Sequence, residues 1–182
     1  MALMTPCFDE NDGSVTWRWD WSALIDSAVG STICLSDWPN HCLAAEAYHE
    51  HAQLAVMRNA DRWFWDQTNS VISLVSGPFT PSSASYVINI NCAFPEQCLH
   101  TGANLLVSRP TAAPGPSNRF AIDRASADAN QGRIRSQVSS TGAQGPSCLS
   151  MGCFTRGQGM ANVGGNCAIF HNVSDAQACQ LY

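Results

Sequence analysis

Lysine is missing from this sequence, and all nine basic residues are arginine. A chain without lysine has no lysine nucleophile, no Schiff-base lysine and no phosphate loop of the kind that ends in Lys and Ser or Thr. Charged residues are also scarce, at 13% against 45% hydrophobic residues, which excludes a highly charged, disordered protein. No apolar run approaches the roughly 18 residues of a membrane-spanning helix, so no membrane span is expected.

The charges are unevenly distributed. Residues 1–66 contain ten acidic residues and three arginines, a net charge of −7, whereas residues 67–182 contain four acidic residues and six arginines, a net charge of +2. This balance argues against nucleic acid as a partner. The length of 182 residues suits one domain with a sizeable core.

Nine cysteines are many for such a chain, and no C-x-x-C pair is present to build a zinc ribbon or a redox motif. We therefore predict disulfide bonds and a secreted, extracellular protein. Eight paired cysteines allow 105 connectivities, so the pairing stays open. The eight are Cys34, Cys42, Cys92, Cys98, Cys148, Cys153, Cys167 and Cys179, and Cys7 is the candidate for the odd one.

Two further features bear on secretion. Asn172 begins an Asn-Val-Ser sequon, which predicts glycosylation. Residues 1–13 lack the basic and apolar regions of a signal peptide, so we expect that any such peptide was removed or never existed.

Residues 1–16 are predicted to form a disordered leader and residues 17–182 a single α+β domain. The Trp-rich segment 17–77 is predicted to be helical, because alanines and apolar residues recur at steps of three and four from about Pro39 onward. One helix of that length is too long for a compact domain, so a break is expected near Asn59, with a stop at Gly77.

The cysteine-rich segment 78–182 is predicted to form a small sheet. Residues 86–91 alternate in the manner of a half-buried strand, and residues 101–107 predict a second strand or the start of a helix. Residues 119–122 and 133–135 are typical of short strands. The predicted fold is therefore a disulfide-stabilised small antiparallel sheet packed with two or three helices.

Trp17, Trp19 and Trp21 alternate with Arg18 and Asp20, which places three indoles on one face of a strand. Two interpretations follow. The strand covers the core, or the indoles form an exposed binding platform for a sugar or a protein partner.

Glu46, His49 and Glu50 share one face of the predicted helix and resemble half of a Glu-x-x-His metal site. The second half and the H-E-x-x-H zinc signature are absent, so we predict a solvated face with no metal and no cofactor. His100 is close to Cys98 in sequence, but a disulfide-bonded cysteine is inert. No catalytic residue is assigned.

Arg133 and Arg135 alternate on a predicted strand. Side chains at this spacing point to the same side and form either a small contact patch for an anionic ligand or two solvated arginines.

One cysteine-bracketed stretch carries a resemblance to a known family. Residues 90–92, Gln97 and Cys98, and the run 102–107 resemble the opening segment of the small killer toxins encoded by viruses of smut fungi, and residues 164–170 resemble a later cysteine-bearing strand. The resemblance covers residues 88–182 and implies a secreted, disulfide-rich α/β sandwich. It also implies an antagonist that interferes with calcium entry into competing cells.

The first half is similar in outline to secreted fungal zinc endopeptidases of the deuterolysin type, because a predicted helix precedes the aromatic cluster at residues 63–65 and a strand that reaches Cys92. The preferred hypothesis is a secreted, non-enzymatic binder or antagonist, toxin-like or effector-like, with a cell-surface protein or glycan as its target. The binding candidates are Arg133, Arg135, Trp17, Trp19 and Trp21. Two alternatives remain, a secreted hydrolase that uses His49, Glu46 or His100, and a structural subunit of an extracellular filament or coat that self-associates through exposed tryptophans.

Overall fold

A computed structural model describes residues 2–6, 16–36, 39–45, 52–57, 61–77, 86–90, 105–108, 115–137 and 147–151. Within these ranges the chain forms twelve strands, one short helix and one 3-10 turn. The strands are β1 (Ala2–Pro6), β2 (Trp17–Arg18), β3 (Cys34–Leu35), β4 (Cys42–Ala45), β5 (Ala52–Met57), β6 (Arg62–Asp66), β7 (Val71–Ser76), β8 (Val87–Ile90), β9 (Leu105–Ser108), β10 (Phe120–Arg124), β11 (Gln131–Ser136) and β12 (Ser147–Met151). The helix α1 is Trp21–Leu24, and the 3-10 turn is Pro116–Asn118.

All described strand pairs are antiparallel and belong to one sheet, in the order β1-β12-β11-β2-β3-β4-β5-β9-β8-β7-β6, with β10 paired to β11 beside this path. The sheet curls in the manner of a half-barrel. An isolated bridge between Ser31 and Trp63 brings the outer edge of β6 back to the segment that precedes β3. The described core cluster draws side chains from strands along the length of this sheet, from β12 to β6.

The described core combines side chains from both halves of the chain. Its largest fully buried members are Trp17, Trp63 and Phe120. Burial alternates along β6, where Trp63 and Trp65 are buried between more exposed neighbours, and along β11, where Ile134 lies at the centre. This period of two is the signature of strands with one face toward a core.

The predicted α+β fold is wrong, because the described residues are mostly antiparallel β and form one short helix in place of two or three. The described alanines and apolar residues at helical spacing in 39–77 lie in β4, β5, β6 and β7. The β-branched residues Val71, Ile72 and Val75 favour an extended backbone. The Asp66 carboxylate accepts hydrogen bonds from the backbone N–H of Thr68 and Asn69, which forms the turn between β6 and β7.

Several strand predictions of the second half are confirmed. Of the run predicted at 86–91, residues 87–90 form β8. Of the run at 101–107, residues 105–107 lie in β9, which decides for a strand there; residues 91 and 101–104 lie outside the described residues. The strands predicted at 119–122 and 133–135 correspond to β10 and β11, which pair as a hairpin.

The predicted boundary at residue 77 does not divide the sheet. Strand β2 pairs with β11, and β5 pairs with β9. Strands from before and after residue 77 are therefore neighbours at several places in the sheet. Residues 2–6, inside the predicted disordered leader, form β1 against β12. In the described part of the chain, no helix has the length and apolar character that crossing a membrane requires.

Candidate functional site

The tryptophans of the predicted binding platform lie mainly in the core. Trp17 is fully buried and donates its indole N–H to the carbonyl of Leu149, with an N···O distance of 2.8 Å. Trp19 is 5% exposed and donates its indole N–H to the carbonyl of Ala129 at 3.1 Å. Burial with a satisfied indole is the arrangement of a core tryptophan, which favours the interpretation of this strand as a core cover.

The segment that carries these tryptophans holds the turn between β10 and β11 in place. The backbone N–H of Trp19 donates to the carbonyl of Asn130 at 3.0 Å, and that of Trp21 donates to the Asn130 side-chain oxygen at 2.9 Å. Asn130 in turn donates its backbone N–H to the Asp128 carboxylate at 2.8 Å. The hairpin turn is therefore fixed by the residues that precede and begin α1.

Helix α1 starts at a local cap. The Asp20 carboxylate accepts hydrogen bonds from the Ser22 hydroxyl at 2.6 Å and the Ala23 backbone N–H at 3.3 Å. The Ser22 hydrogen bond, followed by that of Ala23, lowers the pKa of Asp20 from its ordinary value. Asp20 stays charged and exposed beside the hairpin.

Trp21 is half-buried and packs at the border of the core. The guanidinium of Arg124, at the end of β10, lies over its ring with 4.3 Å between the Arg124 Cζ atom and the ring centroid. This distance fits a cation–π contact. The contact ties the exposed end of the hairpin to α1.

The predicted contact residues Arg133 and Arg135 do lie on one face of β11. Across the hairpin, Asp123 is opposite Arg133, and Ala121 is opposite Arg135. The Asp123 carboxylate accepts hydrogen bonds from Nε of Arg135 at 2.8 Å and from Nη2 at 3.1 Å. These hydrogen bonds to Asp123 raise the pKa of Arg135, so its guanidinium keeps its positive charge.

A third arginine on the same face comes from β2, a strand that pairs with β11. Arg18 on β2 is the register partner of Gln131, which shares its face of β11 with Arg133 and Arg135. The Arg18 side chain is 52% exposed, and its Nη2 atom lies 3.5 Å from a carboxylate oxygen of Asp128. We call Arg18, Arg133 and Arg135 the arginine face.

The arginine face is positively charged in an acidic protein. Residues 16–22 and 119–137, which form β2, the start of α1 and the hairpin, contain five arginines and three aspartates, a net charge of +2. The total of −5 leaves −7 for the rest of the chain. The sequence alone suggested Arg133 and Arg135. Arg18 was missed because its pairing with β11 is a long-range contact that no local pattern announces.

A glycine sets the shape of this hairpin. A side chain at Gly132 would collide with the carbonyl oxygen of Asp123 and lie 2.9 Å from Cα of Arg124. The close approach of the two backbones therefore requires glycine at this position. This close approach places Asp123 and Arg124 against β11, beside the arginine face.

One predicted pair of cysteines is bonded. Cys34 on β3 and Cys42 on β4 form a disulfide with 3.8 Å between their Cα atoms. The flanking hydrogen bonds, from Leu35 N–H to the carbonyl of His41 and from Leu43 N–H to that of Ile33, make this a non-hydrogen-bonded pair, the kind with the closest Cα atoms in an antiparallel ladder. The disulfide fastens the two-residue strand β3 to the sheet.

The remaining predictions are placed as follows. Cys148 is also disulfide-bonded. Other predicted residues lie outside the described residues, namely Cys7, Cys92, Cys98, Cys153, Cys167, Cys179, Asn172, Glu46, His49, Glu50 and His100.

Asp61 is the one described carboxylate whose pKa is raised, and partial burial is the cause. Its Oδ2 atom accepts a hydrogen bond from the Ala45 backbone N–H at 2.7 Å, while its carboxyl group would touch any side chain placed at Gly77. Asp61 thus joins the ends of β4 and β7. Among the described residues, no three His, Cys, Asp or Glu side chains are grouped as metal ligands would be.

Comparison with known proteins returned no matching family model, no matching curated protein and no matching solved structure.

Proposed function

We propose that this chain is a secreted, disulfide-stabilised, non-enzymatic binding protein that contacts a cell-surface protein or glycan through its arginine face. The observation that carries the proposal is the grouping of Arg18, Arg133 and Arg135 on one exposed sheet face of an acidic protein. Arginine suits such a surface because its planar guanidinium donates paired hydrogen bonds to carboxylates, sulfates and phosphates.

Rigid support favours binding by this face. The hairpin turn is held by the backbone of Trp19 and Trp21, and Asp123 holds the guanidinium of Arg135 by two hydrogen bonds. Side chains that are already ordered lose less conformational entropy when a partner binds.

Disulfides support an extracellular location. Cys34 and Cys42 are bonded to each other, and Cys148 is also bonded. Such bonds persist in oxidising compartments and are rare in reducing ones. The resemblance to killer toxins adds antagonism of competing cells as the purpose of binding, and fungal cells as the first cells to test.

The test is binding of fluorescently labelled protein to intact fungal cells, with growth of the same cells followed in parallel. We expect saturable binding that falls about tenfold in Arg133→Gln/Arg135→Gln, since two surface ion pairs together contribute on the order of 1 kcal/mol. Treating the cells with protease or with periodate then separates a protein target from a glycan target.

Arg62→Gln is the matched control. Arg62 lies on β6, outside the hairpin and β2, and donates hydrogen bonds to the carbonyls of Val29 and Gly30. Its variant removes one positive charge, against two in the double variant, and should bind cells as the parent does. Equal binding by the double variant and the parent, or an equal loss in Arg62→Gln, would refute the proposed role of the arginine face.

A further inference from the structure

The arginine face has a regular spacing. Arg133 and Arg135 are two residues apart on β11, so their Cα atoms are separated by about 6.8 Å along the strand. Gln131, two residues before Arg133, has Arg18 as its register partner on β2. Arg133 and Arg135 therefore repeat at one two-residue step of an extended chain, and Arg18 lies level with the next step, displaced sideways by one strand spacing of about 4.8 Å.

Each described ion pair on this face leaves guanidinium N–H groups for a further acceptor. Asp123 uses Nε and Nη2 of Arg135, so Nη1 is not used by that carboxylate. Asp128 approaches Nη2 of Arg18, so Nε and Nη1 are not used by it. Both arginines are partly exposed, at 52% for Arg18 and 36% for Arg135. An incoming anion can therefore bind beside each aspartate without displacing it.

The charge of the rest of the molecule selects among anionic partners. A long polyanion, such as a sulfated glycan chain, extends beyond the arginine face, and the remainder of the sequence has a formal net charge of −7. A short acidic segment stays within the arginine face. At physiological ionic strength charges beyond about 8 Å are largely screened, so a short segment experiences mainly the three arginines together with Asp123 and Asp128, a local net charge of +1.

We propose that the arginine face binds an extended acidic peptide segment of a protein partner, with carboxylates on every second residue. The side chains of an extended chain that share one face repeat at the same interval as Arg133 and Arg135. Each carboxylate accepts hydrogen bonds from one guanidinium. The inference rests on the proposed binding function and names the partner chemistry for the same face.

The test is fluorescence anisotropy with three labelled peptides of eight residues. One alternates Ser and Glu, one has the same four Glu in a single block, and one alternates Ser and Gln. We expect the alternating acidic peptide to bind at 50 mM salt several-fold more tightly than the block peptide, and the uncharged peptide not to bind. Binding of the alternating peptide should weaken about tenfold in Arg133→Gln/Arg135→Gln and stay unchanged in Arg62→Gln.

Equal binding of the two acidic peptides, or a heparin hexasaccharide that binds more tightly than either, would overturn the peptide inference. These results leave the proposed function standing if binding to cells still depends on Arg133 and Arg135. Loss of dependence on those arginines in both assays refutes the proposed function itself. Circular dichroism of each variant confirms that the sheet is retained.

Discussion

Gly132 is the residue on which the geometry of the hairpin depends most. A Cβ atom there would overlap the Asp123 carbonyl oxygen, which belongs to backbone and has no alternative rotamer. The neighbouring strand must then move, and with it Asp123 and Arg124. The positions of the Asp123 and Arg124 side chains therefore depend on having glycine at position 132.

We expect Gly132→Ala to lower the free energy of unfolding by about 1–3 kcal/mol, the usual cost of forcing extra atoms into a packed site. Gly115→Ala is the control, because a Cβ at Gly115 meets no atom within 4 Å. Urea denaturation measures both. A stability loss for Gly132→Ala no larger than that for Gly115→Ala would show that β10 and β11 do not approach as described.

Asp61 should make stability depend on pH in the direction opposite to most carboxylates. Burial raises its pKa in the folded state, so its contribution to stability is fully present below the unfolded value of 3.8 and is lost as pH rises through the folded pKa. We expect Asp61→Asn to raise the free energy of unfolding relative to the parent at pH 7, and this gain to shrink toward pH 3.5. Urea denaturation at several pH values tests this.

Asp66 should affect the pH dependence of stability in the opposite direction to Asp61. A hydrogen bond from the Asn69 side chain, at 2.8 Å, lowers the pKa of Asp66, so its contribution is present above the unfolded value of 3.8 and is lost as pH falls through the folded pKa. Asp66→Asn should therefore be less stable than the parent at pH 7, with the difference shrinking in acid. If the two variants change with pH in the same direction, the described environment of one carboxylate is wrong.

At the scale of elements, β3 is too short to be held by its ladder alone. Its two residues pair with β2 and β4, and the Cys34–Cys42 disulfide adds a covalent link at the centre of the β3–β4 contact. Closing a loop of this length restricts the unfolded chain by about 2.5 kcal/mol in the loop-entropy account.

We expect Cys34→Ser/Cys42→Ser to lose about 2–3 kcal/mol of stability in guanidinium titrations. The reduced parent protein should lose at least as much, because Cys148 is bonded too. A double variant as stable as the oxidised parent would mean that β3 does not need this link.

The elements also show what the sequence could predict. Strands β8, β10 and β11 were predictable because alternation and β-branched residues fall together there, with turn-forming residues between β10 and β11. The sequence of β4 to β7 predicts helices because apolar residues recur there at steps of three and four, and because the alanines of β4 and β5 are compatible with a helix. Their strand conformation depends on pairing partners such as β9, which lies far along the chain. Arg133 and Arg135 were predictable because they alternate along one local strand. Arg18 was not, because its place beside them depends on the long-range pairing of β2 with β11.

At the scale of the whole molecule, the two halves of the sequence depend on one another. Strands β2 and β5 from the first half pair with β11 and β9 from the second. A fragment of residues 1–77 would leave these strand edges and the indoles of the core exposed. All six tryptophans lie in that fragment, which makes their signals a sensitive probe.

We expect the 1–77 fragment to lack the near-ultraviolet circular dichroism of the intact chain and to show no cooperative unfolding. The intact chain should show one cooperative transition by tryptophan fluorescence. Native-like tryptophan signals in the isolated fragment would contradict the sheet order described above.

The central claim concerns the arginine face, and NMR of the arginine Nε–H groups tests it most directly. The signals are followed while the alternating Ser and Glu peptide is added to the intact, oxidised protein. We expect the Nε–H signals of Arg18, Arg133 and Arg135 to shift together with one saturation curve, while that of Arg62 stays in place. Shifts centred on Arg62, or none on the arginine face at saturating peptide, would contradict binding by this face.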